Sequence, residues 1–293
     1  MKTPTSEHVI DVQLVRDLLL DQHPDLSVLP LAPFAEGWDN ALWRLGDELL
    51  VRLPRRALAA PLVVTEQRWL PEIAARLPLP IPAPLRVGLP GRGYPWRWSV
   101  TRFLAGSPAS LAPPVERTDA ARLLGEFLAA LHTEAPEEAP HNPFRGVPLA
   151  ARASTVEERA AELGDEDLAK HALRAYGDAL GAPPFTGPPR WIHGDLHPGN
   201  ILVESGALVG VVDFGDLTGG DPATDLAGCW LLFGHQGLVD AALDAYGAAD
   251  DALVARAKGW AIAFSVMLAT IEDEILGLKE TGRASLERLL DDG

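Results

Sequence analysis

The stretch from Trp191 to Asp225, WIHGDLHPGNILVESGALVGVVDFGDLTGGDPATD, holds the residues best suited to chemistry. Asp195 stands among His, Gly, Pro and Asn, a composition that packed helices do not tolerate, so it belongs to a loop. Two short apolar runs follow, Ile201 to Val203 and Leu208 to Val212, and both read as strands. The second ends in Asp213, Phe214 and Gly215, and a carboxylate at the end of a buried strand is placed to face a cleft. Asp195, Asn200 and Asp213 would thus meet in one locale. Moving a phosphoryl group asks little covalent work of a protein; it needs an acceptor for the attacking hydroxyl's proton and hard oxygen ligands for magnesium. Asp195 is expected to be the proton acceptor, with Asn200 and Asp213 as the metal ligands.

These spacings resemble known kinases. An Asp followed by four residues and an Asn, with Asp-Phe-Gly downstream, occurs in the protein-kinase catalytic loop. With His-Gly-Asp in place of His-Arg-Asp, the version HGDLHPGN with VVDFGD resembles the aminoglycoside phosphotransferase family of small-molecule kinases. The resemblance implies an α+β, protein-kinase-like bilobal fold: a small N-terminal antiparallel sheet lobe with helices, residues 1–104, and a larger, mostly helical lobe, residues 105–293, with ATP or GTP between them. His193 is expected to support the loop by hydrogen bonding, since a neutral imidazole both donates and accepts, His197 to contact phosphate or to fix the loop, and Asp216 to face the metal or the substrate. The resemblance also implies that Asp225 braces the loop backbone. A solvated first-turn acid is an equal reading of Asp225. A rival comes from GDLH, which is similar to the Gly-Asp-x-His start of two-metal phosphatases. Those sites need further ligands, and His235 is the sole histidine after His197.

The elements that would position these residues follow from the rest of the chain. Ser6 to Leu20 has the apolar spacing of a helix, and Phe34 to Arg52 reads as strands with a turn at GDE. A glycine-rich loop over phosphates is represented by Glu36 to Asn40, which has a single glycine and reads equally as a hairpin turn. The third strand of a kinase normally carries a lysine paired with a helical glutamate. Here Arg52 occupies that strand, and an arginine grips phosphate as a fork. Glu66, on a helix from Thr65 to Arg76, is its expected partner, and a solvated surface is the alternative for both. Arg44 and Arg55 are the next candidate cations. Tyr94 to Gly106 reads as the last small-lobe strand and the hinge, with Thr101, Phe103 and Leu104 nearest the base. Trp96 and Trp98 are read as core.

Val115 to His132 reads as a helix ending in His132, Glu134 to Pro148 as loop, and Ala150 to Leu180 as helix broken near Gly164 and restarted by Asp165. Asp221-Pro222 marks a helix start. Closing helices are expected over Leu226 to Phe233, Leu238 to Tyr246, Ala252 to Thr270 and Ile271 to Leu290.

Composition bounds the partners. Of the 293 residues, 47% are hydrophobic, enough for a substantial core. A net charge of −16 removes the basic face that nucleic acid requires. The acidity serves solubility, or attracts a cationic acceptor such as an amino sugar. One cysteine, Cys229, excludes an internal disulfide framework and fits a reducing cytoplasm. The N-terminal residues lack a signal peptide's apolar core, and Gly259 to Thr270 is too short to span a bilayer. The expectation is a cytoplasmic monomer or homodimer that uses Mg2+ with ATP or GTP and a small-molecule acceptor. By resemblance the expected acceptor is an aminoglycoside-like or other antibiotic, with a metabolite such as choline, homoserine or a sugar as the alternative, and VRLPRR, Val51 to Arg56, is similar to a segment of macrolide phosphotransferases. A noncatalytic nucleotide-binding regulator is the alternative outside catalysis.

Overall fold

The computed structural model describes residues 5–272 and 276–291. The chain forms two compact units: the described residues up to Ala75 with Pro80–Leu104, and Arg76–Leu79 with Ala105 onward.

The smaller unit is a five-stranded antiparallel sheet, β1 (Leu31–Glu36), β2 (Asn40–Leu45), β3 (Leu49–Pro54), β4 (Pro84–Gly88) and β5 (Trp98–Arg102), in the order β1-β2-β3-β5-β4. In β2 every second residue is buried, as one-sided packing requires, whereas the last four residues of the central strand β3 are all buried. Helix α1 (Val12–Gln22) packs Val15, Leu18 and Leu19 into a core with Trp43, Val51 and Trp98. The helix expected from Ser6 begins at Val12, because the Asp11 side chain accepts from the Leu14 N–H and fixes the start there. Helix α2 (Ala60–Ala74) likewise begins earlier than the expected Thr65, with Pro61 in its first turn, where a missing N–H costs nothing. Trp98 is core, as expected, and Trp96 is packed at the core's edge.

In the larger unit, β6 (Ser107–Pro108) pairs with a hairpin, β8 (Ile201–Glu204) and β9 (Ala207–Val211), while β7 (Arg190–Ile192) pairs with β10 (Thr218–Gly220). The hairpin turn is Ser205-Gly206, both at positive φ, the type I′ geometry whose twist matches the strands. The helices are α3 (Thr118–Leu131), α4 (Ala153–Ala161), α5 (Glu166–Ala179), α6 (Ala223–Leu232), α7 (Gln236–Tyr246), α8 (Asp251–Ala269) and α9 (Leu278–Asp291). Asp165 caps α5 as expected, accepting from the Leu168 N–H. Every residue of α6 is buried, and α6 packs on α8, which packs on α9. The apolar run from Gly259 is part of α8, whose 19 residues are long and apolar enough to cross a membrane; 67% of its apolar window is buried inside the fold. The closing helix expected over Ile271 to Leu290 is α9; residues 273–275 of that expectation lie outside the described residues.

Candidate active site

The loop from His193 to Asn200 connects β7 to β8 and is held by buried side chains beneath it. Asp225, in the first turn of α6, is fully buried; its Oδ2 accepts from the His193 N–H at 2.6 Å and its Oδ1 from the Gly194 N–H at 2.8 Å. The solvated reading of Asp225 is therefore overturned. His132 is the C-cap residue of α3, and it is more than a helix end. Its Nε2 lies 3.3 Å from Asp225 Oδ2 and its Nδ1 3.1 Å from the Tyr246 hydroxyl. With Nε2–H donating to the carboxylate, Nδ1 accepts from the tyrosine. Burial, then the Asp225 charge, pushes the Tyr246 phenol up to about 12, so it remains a donor. Gly194 has φ +88°, and a Cβ there would lie 2.5 Å from the Asp216 carbonyl oxygen, so no other residue fits without movement.

Both loop histidines accept from backbone N–H groups of the loop itself. His193 is fully buried; its Nδ1 accepts from the Asp195 N–H at 3.1 Å, which leaves Nε2–H to donate to the Val212 carbonyl at 2.9 Å. His197 Nδ1 accepts from the Gly199 N–H at 3.1 Å, and its Nε2 lies 3.4 Å from Asp195 Oδ2. Asn200 donates through Nδ2 to the Asp195 carbonyl at 2.9 Å.

Asp195 keeps 26% of its side chain exposed, enough for a ligand to reach it. Burial raises its pKa, but the Arg145 guanidinium and then His197 outweigh this and hold the carboxyl well below the usual carboxylate range. Arg145 Nη2 donates to Asp195 Oδ1 at 2.7 Å and Nε to Asp216 Oδ2 at 3.1 Å, so one guanidinium ties the two acids together. Asp216 also accepts from Asn142 Nδ2 at 2.8 Å. Asp216, expected to face a metal or a substrate, keeps 36% of its side chain exposed and has Asn142 and Arg145 as partners. Both belong to the Glu134 to Pro148 loop, where sequence reasoning placed no functional residue. That loop is pinned by Asn142 N–H to Thr218 Oγ1 at 3.1 Å and Gly146 N–H to Thr224 Oγ1 at 3.2 Å.

Asp213 lies two residues past the end of β9. The Val212 N–H bonds the Asn200 carbonyl at 2.9 Å, so Asn200 and Asp213 sit at the same end of the hairpin. Asp213 has φ +64°, is exposed, and its carboxylate has no partner among the described residues. Asn200 Oδ1 likewise carries no hydrogen bond among them. Two free oxygen donors fit magnesium, which takes few protein ligands and completes its shell with phosphate and water. Among the described residues no group of three or more His, Cys, Asp or Glu is arranged to hold a metal, unlike the ligand-rich site that the phosphatase resemblance requires.

In the smaller unit, Arg52 and Glu66 are both buried and paired, Nη2 to Oε1 at 3.0 Å, so neither is a solvated surface charge. Arg52 Nη1 is buried with no hydrogen-bond partner among the described residues, a donor in need of an acceptor such as a phosphate oxygen. Of the other candidate cations, Arg44 also has a buried Nη1 with no hydrogen-bond partner among the described residues. Arg44 lies over the Phe103 ring, 3.3 Å from its centroid, and Arg55 bonds Glu36 at 2.9 Å and the Gly37 carbonyl at 2.8 Å. With Gly37 N–H bonded to Asn40 O at 2.9 Å, the turn between β1 and β2 is a pinned hairpin. Thr101 is buried in β5 between β3 and β4, and the Phe103 N–H bonds Glu48 O at 2.7 Å. Of the three hinge residues, Leu104 has its main chain unbonded among the described residues.

Comparison with solved structures gives the same architecture. The GDP and kanamycin complex of APH(2")-IIia matches with TM-score 0.71 and 20% identity, covering 97% of this chain and 100% of that one. A GDP complex of wild-type aminoglycoside 2'-phosphotransferase-IIIa matches with TM-score 0.70 and 19% identity over 97% and 99% of the two chains. Macrolide 2'-phosphotransferase MphH from Brachybacterium faecium, as apoenzyme, matches with TM-score 0.61 and 22% identity over 94% and 97%. At these identities the likeness establishes the kinase-like α+β fold. No curated protein sequence matches the chain. A family model described as "Phosphotransferase enzyme family" matches residues 30–260, most of the chain including the loop, the hairpin and the Arg52 strand, and the chain therefore belongs to that family of small-molecule phosphotransferases.

Proposed function

We propose that this protein transfers the terminal phosphoryl group of ATP or GTP to a hydroxyl of a small molecule, with Asp195 receiving the hydroxyl proton. The bond between the acceptor oxygen and phosphorus forms as the bond to the departing nucleoside diphosphate breaks. The observation that carries this reading is Asp195 itself: a partly exposed carboxylate, held ionised, on a loop whose backbone is bonded to buried Asp225. A loose transition state needs orientation more than basicity, so a carboxylate of low pKa suits the task. Asn200 and Asp213 would hold Mg2+, which when bound neutralises phosphate charge. Arg52, positioned by Glu66, would take a phosphate oxygen on its free Nη1. Leu104 offers unbonded main chain for the base.

The names of the structural relatives point to an antibiotic acceptor, an aminoglycoside or a macrolide. A metabolite alcohol is the second reading, favoured by the Arg145 guanidinium on Asp195. The test is nucleotide consumption across a panel of hydroxylated compounds. Asp195→Ala is expected to lower kcat about 10²- to 10⁴-fold, the usual worth of a positioned acid or base, while magnesium-nucleotide affinity stays within about threefold. Activity of that variant within about tenfold of wild type would remove Asp195 from the role.

A further inference from the structure

Beside the residues that brace the catalytic loop lies a cavity of about 320 Å³ that phosphoryl transfer does not use. His132, Phe185, Arg190, Tyr246, Asp250 and Arg256 line it, all of them in the larger unit. Arg190 is half-buried, and its side chain has no hydrogen-bond or ion-pair partner among the described residues. A guanidinium drawn out of bulk water normally finds a carboxylate, and a chain with 41 acidic against 25 basic residues has many to offer. Arg256 is buried and donates Nε to Asp221 Oδ2 at 2.7 Å, Nη2 to Asp221 Oδ1 at 3.3 Å and Nη1 to the Pro183 carbonyl at 2.9 Å. Two of its five N–H groups are left over. The acid in these walls, Asp250, is engaged as the cap of α8, where it accepts from the Leu253 N–H at 2.7 Å.

Both arginines belong to the supports of the catalytic loop. Arg190 opens β7, whose last residue, Ile192, precedes His193. Arg256 fixes Asp221, and the Asp221 carboxylate accepts from the Ala223 N–H at 3.0 Å at the start of α6, the helix that carries Asp225. Two further walls are bonded to each other, Tyr246 to His132 at 3.1 Å, and His132 lies 3.3 Å from Asp225 Oδ2, the oxygen that holds the His193 N–H. We propose that this cavity is an effector site for a small organic anion, a phosphate or carboxylate on a flat apolar body, and that its occupancy tightens the catalytic loop. Arginine receives either oxyanion in fork geometry, and the Phe185 and Tyr246 rings wall the space for the body. An anion shared by Arg190 and Arg256 would tie β7 to the start of α6, and a ligand that binds only this closed arrangement makes the loop harder to open. Binding and loop tightening are both read without turnover, so they stand apart from the phosphotransferase reading above.

Phenyl phosphate, benzoate and benzamide, titrated into the full chain by calorimetry, test this. At least one of the two anions is expected to bind with a Kd of about 1 mM or below, and about tenfold or more tighter than the uncharged benzamide. Phenyl phosphate against benzoate separates phosphate from carboxylate. Saturating magnesium-ADP should leave that Kd within about threefold, which distinguishes this cavity from the nucleotide site. Arg190→Gln should weaken the anion about tenfold or more while magnesium-nucleotide affinity stays within about threefold, and Arg190→Lys, which keeps the charge, should retain part of the binding. With the probe at about 100 times its Kd, amide hydrogen exchange at His193 and Gly194 should slow about tenfold or more. Binding of neither anion, displacement by magnesium-ADP, undiminished binding to Arg190→Gln, or unchanged exchange at both amides with the probe bound would each overturn the effector site. Absence of magnesium-nucleotide binding in the wild type would strike the kinase reading instead and leave the probe binding and the exchange result to be judged by themselves.

Discussion

Replacing Asp225 with alanine removes one buried carboxylate and orphans three donors: the His193 N–H at 2.6 Å, the Gly194 N–H at 2.8 Å and His132 Nε2 at 3.3 Å. Each buried donor left without an acceptor costs about 1–3 kcal/mol, and bonds to a charged acceptor lie at the upper end. Relief of the cost of burying the carboxylate offsets part of this, leaving a net loss of about 3–4 kcal/mol. Against the usual total of about 5–15 kcal/mol, that is a large fraction. The expected fall in Tm is about 6–16 °C, at 2–4 °C per kcal/mol for a unit of this size. Asp225→Asn should cost less, about 2–3 kcal/mol, because its oxygen serves one amide while its NH2 faces the other donor. Urea unfolding gives the energies, and amide hydrogen exchange at His193 and Gly194 locates them. Asp225→Ala within about 1 kcal/mol of wild type, with both amides still protected, would refute the claim that this side chain holds the loop.

Three further outcomes follow from the same geometry. The depressed Asp195 pKa means that its ionised form adds stability above the unfolded carboxyl pKa of about 3.9, and this is lost only as pH falls through the lower folded value. The acid limb of kcat/KM should therefore lie below that of a free carboxyl, and Arg145→Ala should move it upward; a pH profile of both proteins decides this. Arg52→Ala should raise the nucleotide KM by about ten- to a hundredfold, the worth of a charge-assisted hydrogen bond, with Glu66→Ala raising it less and the double variant falling short of additivity. Full additivity in steady-state kinetics would separate the two residues. Burial pushes the Cys229 thiol up to about 12, so a thiol reagent at pH 8 should label the denatured chain at one site and the native chain negligibly.

The parts of the fold legible in the sequence were those written in local spacing. The hairpin, its carboxylate end, the α5 cap at Asp165 and the order of elements all rest on neighbours within a few residues. Helix starts were less legible. Val9 and Ile10 continue the apolar period of α1, yet Asp11 stops the helix short of them, and Pro61 hid the first turn of α2 although it is a start signal. The largest omission was Arg145. Its partners are 50 and 71 residues away, and a Pro- and Asn-rich loop gives no period by which to see that an arginine turns inward. Asp225 was balanced between brace and solvated acid because first-turn acids are common; burial of the whole of α6 decided it, and that depends on α8 arriving from later in the chain.

Asp213 stands in left-handed backbone, where glycine is at ease and aspartate costs about 1 kcal/mol. A library screened for heat resistance alone should therefore enrich Asp213→Gly, which relaxes the turn and discards the carboxylate proposed to hold magnesium. Selection for turnover should restore the acid at once. Durability and catalysis pull this single codon in opposite directions, and its identity under laboratory evolution records which pressure was applied.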